Sequence, residues 1–209
     1  SSDNGASFPN TTVGIVNNTP PGTNYIHSDI HDLAYNPLNN ALYAATDGGI
    51  FFSTDNGINW ADRSNGLQCT QYYHMDGSNG VTNLLIGGAQ DNGTAYTTNG
   101  FNMNYCGTGD GFAVGFVRGD NNIFYMVENT NVMRFTRSTN ARVLISPGAA
   151  ANQTFYPNVI SHPTNNNIVY VGYSASMWRS ADQGATWTNI SANGTSNGGG
   201  GHTGGFAVS

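Results

Sequence analysis

The stretch Ile50-Phe51-Phe52-Ser53-Thr54-Asp55-Asn56-Gly57-Ile58-Asn59-Trp60 runs from strand-forming residues through a turn to a tryptophan. Its skeleton, Ser53-x-Asp55-x-Gly57-x-x-Trp60, returns as Ser180-x-Asp182-x-Gly184-x-x-Trp187 after Met177-Trp178-Arg179. Ser53 and Ser180 are 127 residues apart, as are Trp60 and Trp187. That is three periods of about 42 residues, the length of a propeller blade. Asn and Gly tolerate the positive φ that a tight hairpin needs. The Asp carboxylate can accept amide protons of the turn, and the Ser hydroxyl joins the same network. Trp then offers a large face to bury between neighbouring sheets. The motif reads as a folding staple, which makes Asp55 and Asp182 structural rather than catalytic.

Weaker copies fill the interval. Ile30–Tyr35, Ala41–Thr46, Ile50–Ser53 and a strand from Trp60 make a first four-strand unit, with turns at 36–40 and at Asp47-Gly48-Gly49. A second unit runs from Gln71 through Leu84–Gly88, Asp91-Asn92-Gly93 and Ala95–Thr97. Its staple is reduced to Thr97-Thr98-Asn99-Gly100. A third has Phe112–Phe116, Ile123–Val127 and Val132–Phe135, with Ser138-Thr139-Asn140 as the vestige. A fourth has Asn158–Ser161 and Ile168–Val171 before the second full staple. Tyr43, Ile86, Tyr125 and Tyr170 fall at equivalent second-strand positions. Short strands at this spacing with no helical periodicity predict an all-β chain, a β-propeller of four-stranded antiparallel blades with about four blades present. Residues 1–29 form an N-terminal segment in which Val13–Val16 can close a preceding blade. Residues 30–209 hold the four blades, and Phe206-Ala207-Val208 is expected to open another, so a partial propeller of a longer chain is expected. The Gly-rich run 196–205 reads as a loop.

Only 9% of the 209 residues are charged, the net charge is −6, all six basic residues are Arg, and 28 residues are Gly. No basic footprint for nucleic acid is present, and chemistry that needs Lys is excluded. An apolar fraction of 38% with 11% aromatics predicts a packed core rather than disorder. No apolar run reaches membrane-spanning length. Cys69 and Cys106 lie near the entry and exit of one blade. A disulfide between them would contribute about 3–4 kcal/mol; two buried thiols are the other reading.

Ser-x-Asp-x-Gly-x-x-Trp resembles the Asp-box, or BNR repeat, of sialidase-like and sortilin-like propellers. The phrases His27–Asp32, Asn36–Tyr43, Thr46–Ile50, Gly87–Thr94 and Gly109–Phe112 are similar to large secreted sortilin-like/BNR proteins of Bacteroidetes, over most of the chain from Tyr25 onward. The resemblance implies a propeller exported to the cell surface or medium, often through type IX secretion. It also implies Asp-boxes on the blade periphery and a xyloglucanase-type glycosidase as one class of relative.

Three constellations carry chemistry. His27-x-Asp29-x-His31, on one face of a strand, would offer two imidazoles and a carboxylate to zinc or calcium; no cofactor is otherwise required. Asp47, Asp91 and Asp110 either serve hairpin turns or ring one propeller face as ligands for calcium or sugar hydroxyls. A glycosidase needs two carboxylates across a cleft, with Asp29, Asp32, Asp47, Asp91 and Asp110 as candidates by type. Glu128 is the one glutamate, and Arg118, Arg134 and Arg179 show no sialidase arrangement. His74 and His162 read as strand and turn residues, and Tyr72, Tyr73 and Tyr96 as inter-blade filling or sugar-stacking rings. The expected function is a secreted or cell-surface binding or adhesion scaffold for a glycan or a surface protein, with the remainder of the same chain as a further partner. A glycoside hydrolase or a structural segment of a surface assembly are the alternatives. Neither nucleic acid nor membrane insertion is expected.

Overall fold

The computed structural model describes residues 3–7, 24–67, 70–148, 156–173 and 176–191. The expectations on Val13–Val16, Cys69, the run 196–205 and Phe206–Val208 fall outside them. Every described regular element is a strand, in four antiparallel sheets of four strands each, in simple meander order. The chain divides into two compact units, Ser1–Cys69 and Thr70–Ser209.

The first unit holds β1 (Ile30–Asn36), β2 (Ala41–Thr46), β3 (Gly49–Ser53) and β4 (Ala61–Asp62). The β1–β2 turn is held by asparagines: Asn36 accepts the Leu38 N–H, Asn39 accepts the Ala41 N–H, and Asn40 sits at φ +52°. The core is small. Ile26, Ala44 and Phe51 are buried, with Tyr25 and Trp60 against them. Tyr25 and Ile26, assigned from sequence to the N-terminal segment, are therefore core residues of this sheet.

The second unit holds three sheets: β5 (His74–Gly77) to β8 (Asn104–Tyr105) with β6 (Leu85–Ala89) and β7 (Gly93–Thr97) between; β9 (Gly111–Val117), β10 (Asp120–Glu128), β11 (Asn131–Thr136) and β12 (Ala141–Leu144); and β13 (Asn158–Ser161), β14 (Val169–Tyr173), β15 (Ser176–Ser180) and β16 (Thr188–Asn189). Strand β9 lies between β5 and β13. The β9–β12 sheet is covered on both faces, so period-two alternation splits its apolar residues between two cores. Val114, Phe116, Phe124, Met126 and Phe135 meet Leu84 and Ile86 on one side. Tyr125, Val127 and Val132 meet Val159, Val169 and Val171 on the other. Ile86 thus faces the following sheet, and so does Tyr125, as the equivalence read from the sequence requires.

Two glycine phrases let backbones touch between the β5–β8 and β9–β12 sheets. A Cβ on Gly88 would stand 2.2 Å from the Phe112 carbonyl oxygen, and one on Gly111 2.1 Å from that of Gly93. Gly87–Thr94 and Gly109–Phe112 are thus the two halves of one close approach.

The staple forms as its chemistry demands. Ser53 Oγ donates to Asp55 Oδ1 at 2.8 Å and accepts the Gly57 N–H at 2.8 Å, while Asp55 Oδ1 accepts the Asn59 N–H at 2.8 Å. Ser180 and Asp182 repeat this with Gly184 and Thr186, at 2.7, 2.8 and 2.8 Å. The hairpin of the reduced copy forms as well, without a tryptophan: Thr97 Oγ1 accepts the Gly100 N–H at 2.9 Å, and Asn99 Oδ1 accepts those of Phe101 and Asn102. The third copy does not form. Ser138 exchanges hydrogen bonds with Asn122 across the sheet instead, and β12 starts directly at Ala141. Asn140, two residues on, instead closes the β11–β12 turn, at φ +53° with its N–H donating to the Arg137 carbonyl.

The two tryptophans differ in their partners. Trp187 Nε1 donates to the Ile145 carbonyl at 2.8 Å and so joins the fourth sheet to the third. Trp60 Nε1 turns back to the Gly57 carbonyl of its own hairpin at 3.0 Å.

Candidate functional site

Each sheet has two ends. In the first, the staple with Asp55 joins β3 to β4, whereas Asp47 lies in the β2–β3 turn at the opposite end. Asp91, in the β6–β7 turn, and Asp110, just before β9, share the corresponding end of the second unit. The staples are thereby separated from the candidate ligand residues. Their carboxyls are held down to about 2, that of Asp55 chiefly by the backbone and side chain of Asn59 and that of Asp182 chiefly by Thr186, with a serine hydroxyl helping in each.

His27, Asp29 and His31 do not share a strand face. Strand β1 begins only at Ile30, and Asp29 sits at φ +56°, which breaks the alternation. A register shift at His31 breaks it again. His27 is buried and packs on Gly48, where a Cβ would come within 2.3 Å of its ring. Its Nδ1 lies 3.1 Å from the Ser28 carbonyl oxygen. His31 instead bonds Asp47 through Nε2. Asp29 and Asp47 bring carboxylate oxygens within 4.8 Å of each other. The group assembled in this unit is therefore Asp29, His31 and Asp47, and His27 lies apart from it. Asp32 Oδ1 accepts the Leu33 N–H at 2.9 Å.

In the second unit the acids hold loops. Asp110 Oδ1 accepts the Asp91 N–H at 3.1 Å, and the Asp110 N–H in turn donates to Asn129 Oδ1 at 3.0 Å. Asp91 has φ +60°, an αL turn position. Turn chemistry and the gathering of carboxylates at one end are both present here.

Sequence reasoning missed two clusters. Glu128 is buried and accepts the Thr108 N–H at 2.8 Å, the Thr108 hydroxyl at 2.5 Å and Arg142 Nη1 at 2.7 Å. Asp76, on β5, pairs with Arg118 at 3.2 Å and reaches across to β9. Each partner is remote in sequence, and no spacing signal marks it. Arg118 and Arg134 both serve contacts between sheets, the latter donating to the Gln183 carbonyl. Arg63 lies over the Phe52 ring at 4.2 Å. His74 is exposed at the start of β5, and His162 stacks on Tyr170. Tyr96 fills the gap to Phe124 and Phe135, and Tyr72 lies over Gly87. Cys106 donates its thiol to the Thr94 carbonyl.

No helix among the described residues is long and apolar enough to cross a membrane. The chain matches no protein-family model and no curated protein. Solved structures do match. An ancestral GH74 enzyme superposes with a TM-score of 0.50 at 19% identity, over 79% of this chain and 24% of its own. The GH74 enzyme of Niastella koreensis gives 0.46 at 21% identity, over 75% and 28%. An auxiliary nutrient binding protein of Bacteroides thetaiotaomicron gives 0.45 at 14% identity, over 78% and 42%. The chain therefore spans a quarter to less than half the length of these structures. At such identity the likeness speaks for architecture alone: four antiparallel four-stranded sheets of the β-propeller kind.

Proposed function

We infer that the chain is a stretch of a secreted or cell-surface Asp-box propeller that binds a glycan or a surface protein. The observation that carries this reading is the engagement of its acids. Glu128 is held by three donors and Asp110 holds the Asp91 turn, so these carboxylates brace the loops. A hydrolase needs one carboxyl to deliver a proton and a second free to attack or to activate water. The Asn-, Thr-, Ser- and Gly-rich composition without lysine suits an extracellular setting. The test is incubation of the full-length protein with a panel of polysaccharides and immobilised surface proteins. Retention without release of oligosaccharide is the expected result.

A second reading, glycoside hydrolysis, draws on Asp29 and Asp47. Their oxygens lie within 4.8 Å of each other, and retaining enzymes likewise use two neighbouring carboxyls. Oligosaccharide release that disappears in Asp29→Asn or Asp47→Asn would establish it in place of the first. The same two acids with His31 would be the ligands if the protein takes up calcium or zinc. Elemental analysis after chelation and reloading reads that directly. A purely structural place in a surface assembly predicts neither retention nor release.

A further inference from the structure

We propose that Asn65 is a site of self-modification: its side-chain amide condenses with the Gly66 backbone nitrogen, and water opens the resulting ring to isoaspartate and aspartate. The site does not depend on what the scaffold binds. Five asparagine–glycine pairs lie in turns between or beside the described strands, and in four of them the glycine nitrogen is engaged. The Gly57 N–H donates to Ser53 Oγ at 2.8 Å, and that of Gly100 to Thr97 Oγ1 at 2.9 Å. The Gly80 N–H donates to Ser78 Oγ at 3.1 Å, and that of Gly93 to the Gly109 carbonyl at 2.8 Å. In three of the four the asparagine amide is held too. Asn79 Oδ1 accepts Arg118 Nη1 at 2.9 Å, Asn92 Nδ2 donates to the Gln90 carbonyl at 3.1 Å, and Asn99 Oδ1 accepts the Phe101 N–H at 2.9 Å.

Asn65–Gly66 differs on each count. Both residues are exposed, and among the described residues nothing bonds the Gly66 N–H or the Asn65 side chain. The Leu67 N–H closes the turn on the Ser64 carbonyl at 2.8 Å, and Gly66, at φ +92°, takes the third position, whose own N–H stays outside that bond. A Cβ on Gly66 would meet nothing within 4 Å, so no neighbour blocks rotation at this link. The stem below is fixed. Arg63 N–H donates to the Ile50 carbonyl at 2.7 Å, Ser64 N–H to Asp62 Oδ1 at 2.7 Å, and Ser64 Oγ accepts the Ile50 N–H at 3.1 Å. A free tip on a fixed stem opens without disturbing the sheet. In the reaction the Gly66 nitrogen gives its proton to a solvent base and attacks Asn65 Cγ. A carbon–nitrogen bond closes a cyclic imide while the bond from Cγ to the side-chain nitrogen breaks and ammonia leaves. Water then opens the imide. Attack at the backbone carbonyl leaves isoaspartate, with the chain running through the former side chain; attack at the other carbonyl leaves aspartate. Either product adds one negative charge four residues before the end of the first compact unit, Ser1–Cys69.

The experiment incubates the folded full-length protein at pH 8 and follows each site by acidic digestion and peptide mass spectrometry. Electron-transfer fragmentation tells isoaspartate from aspartate. Asn65 should convert at least about tenfold faster than Asn56, Asn79, Asn92 or Asn99, because each of these must first lose a hydrogen bond. In urea the five rates should converge, which separates protection by the fold from the reactivity of the dipeptide. Gly66→Ala puts a methyl beside the attacking nitrogen and should slow conversion at position 65, with isoaspartate still among the products. Equal rates at the five sites of the folded protein, or faster conversion at any of the other four, overturns the proposal. So does an Asn65 that stays intact while the urea-unfolded chain converts. An unchanged rate in Gly66→Ala, with aspartate as the sole product, overturns it too, since direct hydrolysis of the amide does not use that nitrogen. None of these results bears on retention of a glycan or a surface protein, so the scaffold reading stands or falls separately.

Discussion

Asp76 and Phe116 are joined across two sheets: the Asp76 carboxylate accepts the Phe116 backbone N–H at 2.8 Å, 40 residues away in sequence. From the other side, the Ser161 hydroxyl donates to the Phe116 carbonyl. One residue of β9 is thus tied by side chains to β5 and β13, where no strand ladder runs. Arg118 completes the tie by donating to the second Asp76 oxygen at 3.2 Å. Asp76→Ala would leave the Phe116 amide unsatisfied and take from Arg118 its carboxylate partner at a mostly buried point, with the Asn79 side chain and the Gly77 carbonyl as the remaining acceptors of Arg118. A loss of about 2–4 kcal/mol in urea unfolding is expected. Asp76→Asn keeps an acceptor for Phe116 and should lose less. A loss under about 0.5 kcal/mol for Asp76→Ala would mean the tie carries little.

The staples predict an acid dependence with a definite sign. Asp55 and Asp182 have folded-state values of about 2, below the ordinary carboxylate value of about 3.9. A depressed folded value gives stability that is complete above the unfolded value and is lost as pH falls through the folded one. Asp182→Asn should therefore unfold more readily than the wild type at pH 5. The difference should shrink between about pH 4 and pH 2 and vanish below. A difference constant across that window would show that the charge contributes nothing.

Most strands were legible because turn residues punctuate them. Asp47-Gly48-Gly49, Asp91-Asn92-Gly93 and the asparagine turn at 36–40 all fall between strands, where Asx side chains and positive φ are needed. The spacing of Tyr43, Ile86, Tyr125 and Tyr170 marked a face, and the cores confirm it for Ile86 and Tyr125. The candidate site was less legible. The left-handed turn at Asp29 is a choice that an aspartate permits without announcing, and it dissolves the expected histidine face. Glu128–Arg142 and Asp76–Phe116 join residues on different strands, and neither period two nor turn chemistry encodes such pairs.

Two glycines should respond to alanine very differently. At Gly111 an added Cβ meets the Gly93 carbonyl oxygen at 2.1 Å and the Ala89 nitrogen at 2.9 Å, both backbone. Neither can rotate away, so Gly111→Ala must part the two sheets and should cost about 3 kcal/mol or more. Gly66 has open space around it, and only its φ of +92° resists a side chain. Gly66→Ala should cost about 1–2 kcal/mol. Thermal unfolding of the pair checks the order, and equal losses would contradict the close approach.

Cys106 should be chemically quiet. Burial pushes its thiol up to about 12, against a smaller opposing pull from Arg142, and the thiolate is the reactive form. Iodoacetamide at pH 8 should leave Cys106 unmodified in the folded protein and label it in denaturant. Its sequence-expected partner, Cys69, lies outside the described residues, so the same samples should be run with and without prior reduction. Label that appears in denaturant only after reduction assigns the protection to a Cys69–Cys106 bond; label without reduction assigns it to burial. Rapid labelling of Cys106 in the native protein would defeat both accounts, because it requires a thiolate at the surface where the structure places a thiol donating to Thr94.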